Sequence, residues 1–190
     1  MNQTELFNQT LLKIGSEKVL SSDQDSEERV LCSIFYADAR DEVLIEYPWS
    51  CALRRSSLAL VEKSLGLELP YRYALPTDPY CIRPVTLLDP ETGKDLSTET
   101  WQKEGHSIWT RLNPCAVRYV ARLDVSELDP HVAEVLVYKL AAKVAYRIVQ
   151  DLSVENQMVA LYAARLREAK TLEGTLGSMR YQRPALWTEV

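Results

Sequence analysis

Apolar positions recur at helical spacing near the start of the chain and predict two helices there. The first covers residues 2 to 14, and Gly15 is placed to end it, because glycine accepts the left-handed conformation that often follows a helix. The second runs from about 26 to 46, with Asp25 as its N-cap. Pro48 is expected to stop it, since proline lacks the backbone N–H that a helix interior needs.

Two further helices are predicted toward the end of the chain. Asp129 and Pro130 suit the N-cap and first-turn positions of the third, whose apolar residues mostly lie four apart. Its broad apolar face indicates a helix that is buried on much of its circumference. The fourth helix is predicted over about 154 to 173, between a Ser153 cap and Gly174.

The middle of the chain, about 50 to 123, loses the helical period and carries most of the prolines. Residues 118 to 122 alternate as a half-buried strand would. The segment from Asp89 to Gly93 is typical of a hairpin tip, and Glu104 with Gly105 marks a turn. We expect four to six short, mostly antiparallel strands here.

Together these elements predict an α+β fold. A discontinuous four-helix bundle, formed by residues 1–47 and 129–174, would hold an inserted antiparallel β module over 48–128. Residues 1–174 would make one domain, as the length of the chain allows. Residues 175–190 have no helical period but several aromatic and apolar residues, which predicts an extended C-terminal arm docked on a partner.

Composition and charge narrow the range of functions. Hydrophobic residues make up 46% of the chain and charged residues 26%, as in ordinary globular proteins. No apolar run is long enough for a membrane-spanning helix, and no signal peptide is visible, so we expect a cytoplasmic protein without a membrane partner. The net charge of −5 argues against a sequence-reading DNA-binding protein, which normally carries a basic patch.

The charge is also unevenly distributed along the chain. Residues 1 to 47 hold four basic and ten acidic side chains, net −6. Residues 165 to 190 hold five basic and three acidic side chains, net +2. Such a gradient would suit a subunit that meets charged partners at opposite poles, although random surface variation explains it equally well.

Familiar catalytic signatures are missing from the sequence. It has no phosphate-binding glycine loop, no nucleophile elbow and no His-Glu-x-x-His motif. The best enzyme-like cluster is Asp38, Asp41, Glu42 and Glu46, which one helical face could present to a divalent cation. Arg54 and Arg55 could bind phosphate, but exposed arginines on strands usually form surface ion pairs. We therefore predict a protein that is not an enzyme and has no cofactor or metal.

Cysteines and histidines add little to this picture. The four cysteines form no Cys-x-x-Cys pair and are expected to be free, buried thiols. His106 and His131 have no metal-ligand neighbour at helical or hairpin spacing, so neither is assigned a role.

Three segments of the chain resemble the motifs of a known family, and the resemblance as a whole spans residues 2 to about 175. The matching positions are Arg40, Asp41, Pro48, Trp49, Tyr71, Tyr73, Pro76 and Asp78. Arg118, Tyr119 and Val120, followed by Asp129 and Pro130, continue the match. In order and spacing the chain resembles the head-to-tail connector adaptors of tailed bacteriophages, closest to the tail tubular protein A, or gatekeeper, group of short-tailed phages.

The resemblance implies a structural adaptor of the virion, assembled in the host cytoplasm. Such adaptors form a homo-oligomeric ring, usually of twelve copies, between the portal protein and a tail or nozzle protein. DNA would pass through the lumen without sequence-specific binding. An acidic subunit suits such a channel, because basic side chains would grip the phosphates of the sliding DNA.

We expect residues 175 to 190 to clasp the portal. The anchors would be Met179, Tyr181 and Trp187, with Arg180 and Arg183 as charge partners. These aromatic and arginine residues are the types that contribute most at protein interfaces.

Two other interpretations stay open. The chain could be a helical protein-interaction module outside phage assembly, which would keep one small mass beside any portal. It could, less favourably, be an enzyme that uses Asp38, Asp41 and Glu42 with a metal. Within the phage interpretation, an adaptor of a long-tailed phage is also possible, since the helical core is shared.

Overall fold

The computed structural model describes residues 1–16, 26–64 and 66–176. Within them the chain forms four helices and two antiparallel sheets, which confirms the α+β class. Two helices precede the strands and two follow them, as predicted for an interrupted bundle.

The helices pack around a central member. They are α1 (Gln3–Lys13), α2 (Glu27–Glu46), α3 (Pro130–Val149) and α4 (Leu152–Leu176). The third, α3, contacts each of the other three. It is buried on several sides, as its apolar pattern predicts, through Val132, Ala133, Val135, Leu136, Val137, Tyr138, Leu140, Ala141, Val144 and Ala145.

The starts of α1 and α2 are set by side-chain caps. Asn2 accepts a hydrogen bond from the Glu5 N–H at 2.8 Å, and the Glu5 carboxylate accepts one from the Asn2 N–H at 2.9 Å. Ser26 rather than Asp25 caps α2, since its hydroxyl accepts from the Arg29 N–H at 3.3 Å. Asp25 lies outside the described residues. Gly15 follows α1 with φ +78°, as predicted for a residue that ends a helix.

The helix α4 is longer than predicted at both ends. It begins at Leu152, because the Asp151 carboxylate accepts from the Ser153 N–H at 2.7 Å and takes the capping role predicted for Ser153. Gly174 lies within the last turn, and the helix ends at Leu176. A glycine inside a helix costs only about 1 kcal/mol, which its helix-forming neighbours can offset.

The described part of the β module has more strands than expected, seven in place of four to six. They are β1 (Leu53–Ser57), β2 (Ala59–Lys63), β3 (Tyr71–Ala74), β4 (Cys81–Leu88), β5 (Trp101–Glu104), β6 (Ser107–Thr110) and β7 (Ala116–Ala121). The first sheet has the order β1-β7-β4 and the second β2-β3-β6-β5. Only Leu58 separates β1 from β2, although they belong to different sheets, and no turn residue marks that division.

Both predicted turns of the β module are confirmed. At the tip from Asp89 to Gly93, the Gly93 N–H donates to the Asp89 carbonyl at 2.8 Å, with Gly93 at φ +65°. Gly105 joins β5 to β6 at φ +55°. Glycine is favoured at both positions because a side chain is strained in the left-handed region.

One continuous hydrophobic core joins helices and sheets. It includes Leu6 and Leu136 from the helices, Val117 and Tyr73 from the strands, and Trp49 from the link between them. Among the described residues, no helix combines the length and apolarity needed to cross a bilayer.

Candidate functional site

Arg40 and Asp41 belong to a charged network between α2 and the end of β7. The Arg40 guanidinium pairs with Asp41 at 3.1 Å and with Asp124 at 3.2 Å. Arg122, just beyond β7, donates to Asp41 through Nε at 3.2 Å and also through Nη2. Arg122 also lies 4.4 Å from the centre of the Tyr80 ring. The motif pair thus links the helical part to the first sheet.

Pro48 and Trp49 lie where α2 ends. The Trp49 side chain is fully buried, and its Nε1–H donates to the Val43 carbonyl at 2.8 Å. Its ring meets His131 edge-on, with ring centres 6.2 Å apart. Trp49 therefore connects the last turn of α2 to the first turn of α3.

The motif residues of β3 and the following loop have separate surroundings. Tyr73 is buried, and its hydroxyl contacts the Leu112 carbonyl and Asn113 Oδ1, both at 3.0 Å. Tyr71 is half-buried at the other end of the same strand. The Pro76 carbonyl accepts from the Cys81 N–H at 2.9 Å, whereas Asp78 is exposed. The motif residues are therefore distributed along the molecule and do not converge on one pocket.

A buried cluster that the sequence did not predict lies beside Trp49. Glu173 of α4 is 5% exposed. Its Oε1 accepts from the Ser50 N–H at 2.6 Å, and its Oε2 lies 2.7 Å from His131 Nε2. Burial alone would raise the pKa of Glu173, but the hydrogen bonds from Ser50 and His131 outweigh it and hold that pKa below its ordinary value.

This cluster also contains the ligand types of a metal site. One ligand atom each from Asp129, His131 and Glu173 lies within 4.8 Å of the others. Both Glu173 oxygens are already engaged by Ser50 and His131, so the contacts match a hydrogen-bonded brace better than an open coordination site. Asp129 and His131 are two residues apart, but Glu173 is distant in sequence, and no local spacing could have indicated it.

The predicted carboxylate cluster on α2 is dispersed. Asp38 is exposed, and Asp41 is held by the arginines of the charged network. Glu42 pairs with Lys139 and Lys143 of α3, each at 2.7 Å. Burial raises the pKa of Glu42, but the hydrogen bonds from the two lysines hold it below its ordinary value. Any cation at this place would compete with those lysines and arginines.

The outer side of α2 carries the clearest exposed apolar surface, which we call the α2 stripe. It consists of Val30, Ile34 and Ile45, which are 49%, 61% and 48% exposed. At 100° per residue the three side chains point to one side of the helix, opposite the buried Cys32 and Val43, with Asp41 between Ile34 and Ile45 on the same side.

Other exposed apolar residues lie on α4 and β2. They are Leu152, Val159, Leu172 and Leu176 of α4 and Leu60 and Val61 of β2. All of β2 is exposed, and it forms one edge of the second sheet. The described part of the chain thus presents apolar side chains on more than one face.

An open groove of about 790 Å³ lies between the helices, lined by Phe35 of α2 and by Lys143, Tyr146 and Arg147 of α3. Arg147 stacks 5.6 Å from the centre of the Phe35 ring. No motif residue of the sequence analysis lines it.

The proposed portal-binding residues, from Met179 to Trp187, lie outside the described residues. Neither a scan against models of known protein families nor a search of curated proteins finds a match to this chain.

Proposed function

We propose that this chain is a structural head-to-tail adaptor of a tailed bacteriophage, one subunit of a homo-oligomeric ring between portal and tail. The ring would usually have twelve copies, and DNA would pass through its lumen without sequence-specific binding. The proposal starts from the resemblance of the three motif segments. It is supported most by the presence of exposed apolar surface on two different parts of one subunit.

Two unlike surfaces are what a ring requires. A head-to-tail contact joins one patch of a subunit to a different patch of the next, whereas a two-fold dimer needs only one self-complementary patch. The α2 stripe and the α4–β2 residues are two such patches. A free monomer would leave these apolar side chains in water, and contact with a neighbouring subunit would bury them.

The motif residues support the same proposal through their structural roles. Arg40 and Asp41 link α2 to the first sheet, and Trp49 links α2 to α3. Side chains with such roles maintain the arrangement of modules in a subunit. They suit an assembly protein in which shape, more than chemistry, is the function.

The deciding experiment measures mass in solution, by light scattering, for the protein alone and mixed with the portal protein of the same genome. We expect a small species that joins the portal as a full ring. A chain that keeps one small mass beside the portal would contradict the proposal and favour the interaction-module alternative.

The α2 stripe can be tested by a single charge. Ile34→Glu should leave the fold intact, because the side chain is exposed, but it should prevent ring formation on the portal. Leu12→Glu is the matched control, since Leu12 is 51% exposed on α1 and lies outside both patches. Equal ring assembly by the two variants would exclude the stripe from the ring contact.

The predicted arm is tested by removing residues 177 to 190. Because α4 continues to Leu176, this end point spares the helix and the buried Glu173. We expect unchanged thermal unfolding and loss of portal binding. Undiminished portal binding would show that Met179, Tyr181 and Trp187 are not the anchors.

A further inference from the structure

Three arginines lie on one face of the first sheet, which we call the arginine face. Arg55 of β1 is directly opposite Arg118 of β7. Arg83 of β4 is opposite Val120, two residues along β7 from Arg118. Residues two apart on a strand share a face, so all three side chains emerge on the same side, with neighbours about 5 to 8 Å apart.

The positive charge of this face is only partly neutralised. Arg118 pairs with Asp95 at 2.8 Å. Among the described residues, Arg55 and Arg83 have no carboxylate within 4 Å, which departs from the surface pairing expected of strand arginines. Arg54, on the opposite face, instead donates to the carbonyls of Cys51 and Leu53.

The hairpin tip beside the face does not supply the missing acceptors. Asp89 is turned onto its own loop, where it accepts from the N–H groups of Glu91 and Thr92 and from the Thr92 hydroxyl. The guanidinium of Arg55 lies beside Gly93, since a Cβ on that glycine would be 4.0 Å from Arg55 Nη1. The tip thus borders the arginines without neutralising Arg55.

Two donors of the face are buried without an acceptor. The Nε atoms of Arg83 and Arg118 are out of contact with solvent and have no hydrogen-bond partner among the described residues. Buried donors are nearly always satisfied, and an exception points to a bound ion or water. Two adjacent like charges on paired strands are also unfavourable unless an anion joins them.

We propose that the arginine face binds the backbone phosphates of nucleic acid. A guanidinium presents its donors in a planar fork that matches phosphate oxygens. Three such groups on three adjacent strands suit a ligand that carries several anionic groups in succession, as a phosphodiester chain does. The contact would involve no base recognition and would be strongly dependent on salt, because each arginine that neutralises a phosphate releases counterions from the nucleic acid. The inference does not depend on ring formation.

The test measures binding of a short fluorescent DNA duplex by polarisation, at about 50 mM and about 200 mM salt. The double variant Arg55→Gln, Arg83→Gln removes two of the three guanidinium groups. We expect its affinity at the lower salt to fall about tenfold or more. The slope of log affinity against log salt should decrease by about two, one for each arginine.

A matched control carries the same change of net charge elsewhere. Arg29 and Arg167 also have no ion pair among the described residues but lie on helices, so Arg29→Gln, Arg167→Gln should bind the duplex almost as the parent does.

Equal weakening by both double variants would overturn the proposal, as would no binding by the parent at low salt. Binding of labelled polyglutamate in place of the duplex would also overturn it, because the face would then serve an acidic protein. Portal binding, measured separately, reports on the adaptor function alone.

Discussion

Replacing Trp49 with alanine should lower the free energy of unfolding by about 3–5 kcal/mol, the range for removing a large aromatic side chain from a core. Trp49 is fully buried and touches both α2 and α3. Its removal would open a cavity at their junction and leave the Val43 carbonyl without its indole donor. Urea unfolding followed by circular dichroism at the helical wavelengths measures the loss.

Trp49→Phe separates the packing from the hydrogen bond. Phenylalanine keeps most of the apolar volume but cannot donate to Val43, and we expect a loss of about 2 kcal/mol. A loss below about 1 kcal/mol for Trp49→Ala would show that the junction does not depend on this side chain. The tryptophan at this motif position would then have a role other than stabilising the fold.

Replacing Glu173 with alanine should cost about 3 kcal/mol, because it removes a buried acceptor and leaves two partners unsatisfied, each at a cost of about 1–3 kcal/mol. The change leaves the Ser50 N–H and His131 Nε2 without their acceptor. Glu168→Ala is the control in the same helix, because Glu168 forms an exposed pair with Arg165 and should matter by less than about 1 kcal/mol. Equal losses for the two variants would mean that Glu173 contributes no more than a surface residue.

The contribution of Glu173 to stability should also depend on pH. Its pKa is lower in the folded protein than in the unfolded chain, so the folded state favours the ionised form. That stabilisation is complete above the unfolded value, near 4.5, and is lost as the pH falls through the folded pKa. The stability difference between the parent and Glu173→Gln should therefore be largest near pH 6 and shrink below about pH 4.5.

Long periodic segments made most of the fold predictable. The helix α3 begins where its Asp129 and Pro130 signals predict, Gly15 follows α1 as predicted, and the glycine turns at Gly93 and Gly105 are where the sequence indicates. The predicted ends of α4 at Ser153 and Gly174 were wrong. The neighbouring Asp151 caps the helix, and the single Gly174 does not end it. Local patterns alone could not assign β1 and β2 to different sheets.

The site was less predictable, for a physical reason. Arg40 and Asp41 were singled out by the motif, but their partners Arg122 and Asp124 follow the last strand of the β module and are therefore distant in sequence. His131 was assigned no role because its partner Glu173 is supplied by another helix. Contacts between distant segments leave no local pattern in the sequence. Caps and turns do, because they depend on a few neighbouring residues.

The attachment of Glu173 has a mechanical consequence. Leu176 is less than one helical turn beyond Glu173, which is tied to Ser50 and to His131 at the start of α3. If the chain beyond α4 is pulled, the residues after Glu173 can unwind first, but further unwinding must break the contacts of Glu173 with both Ser50 and His131. Glu173 would therefore limit mechanical unravelling of α4 to its last turn.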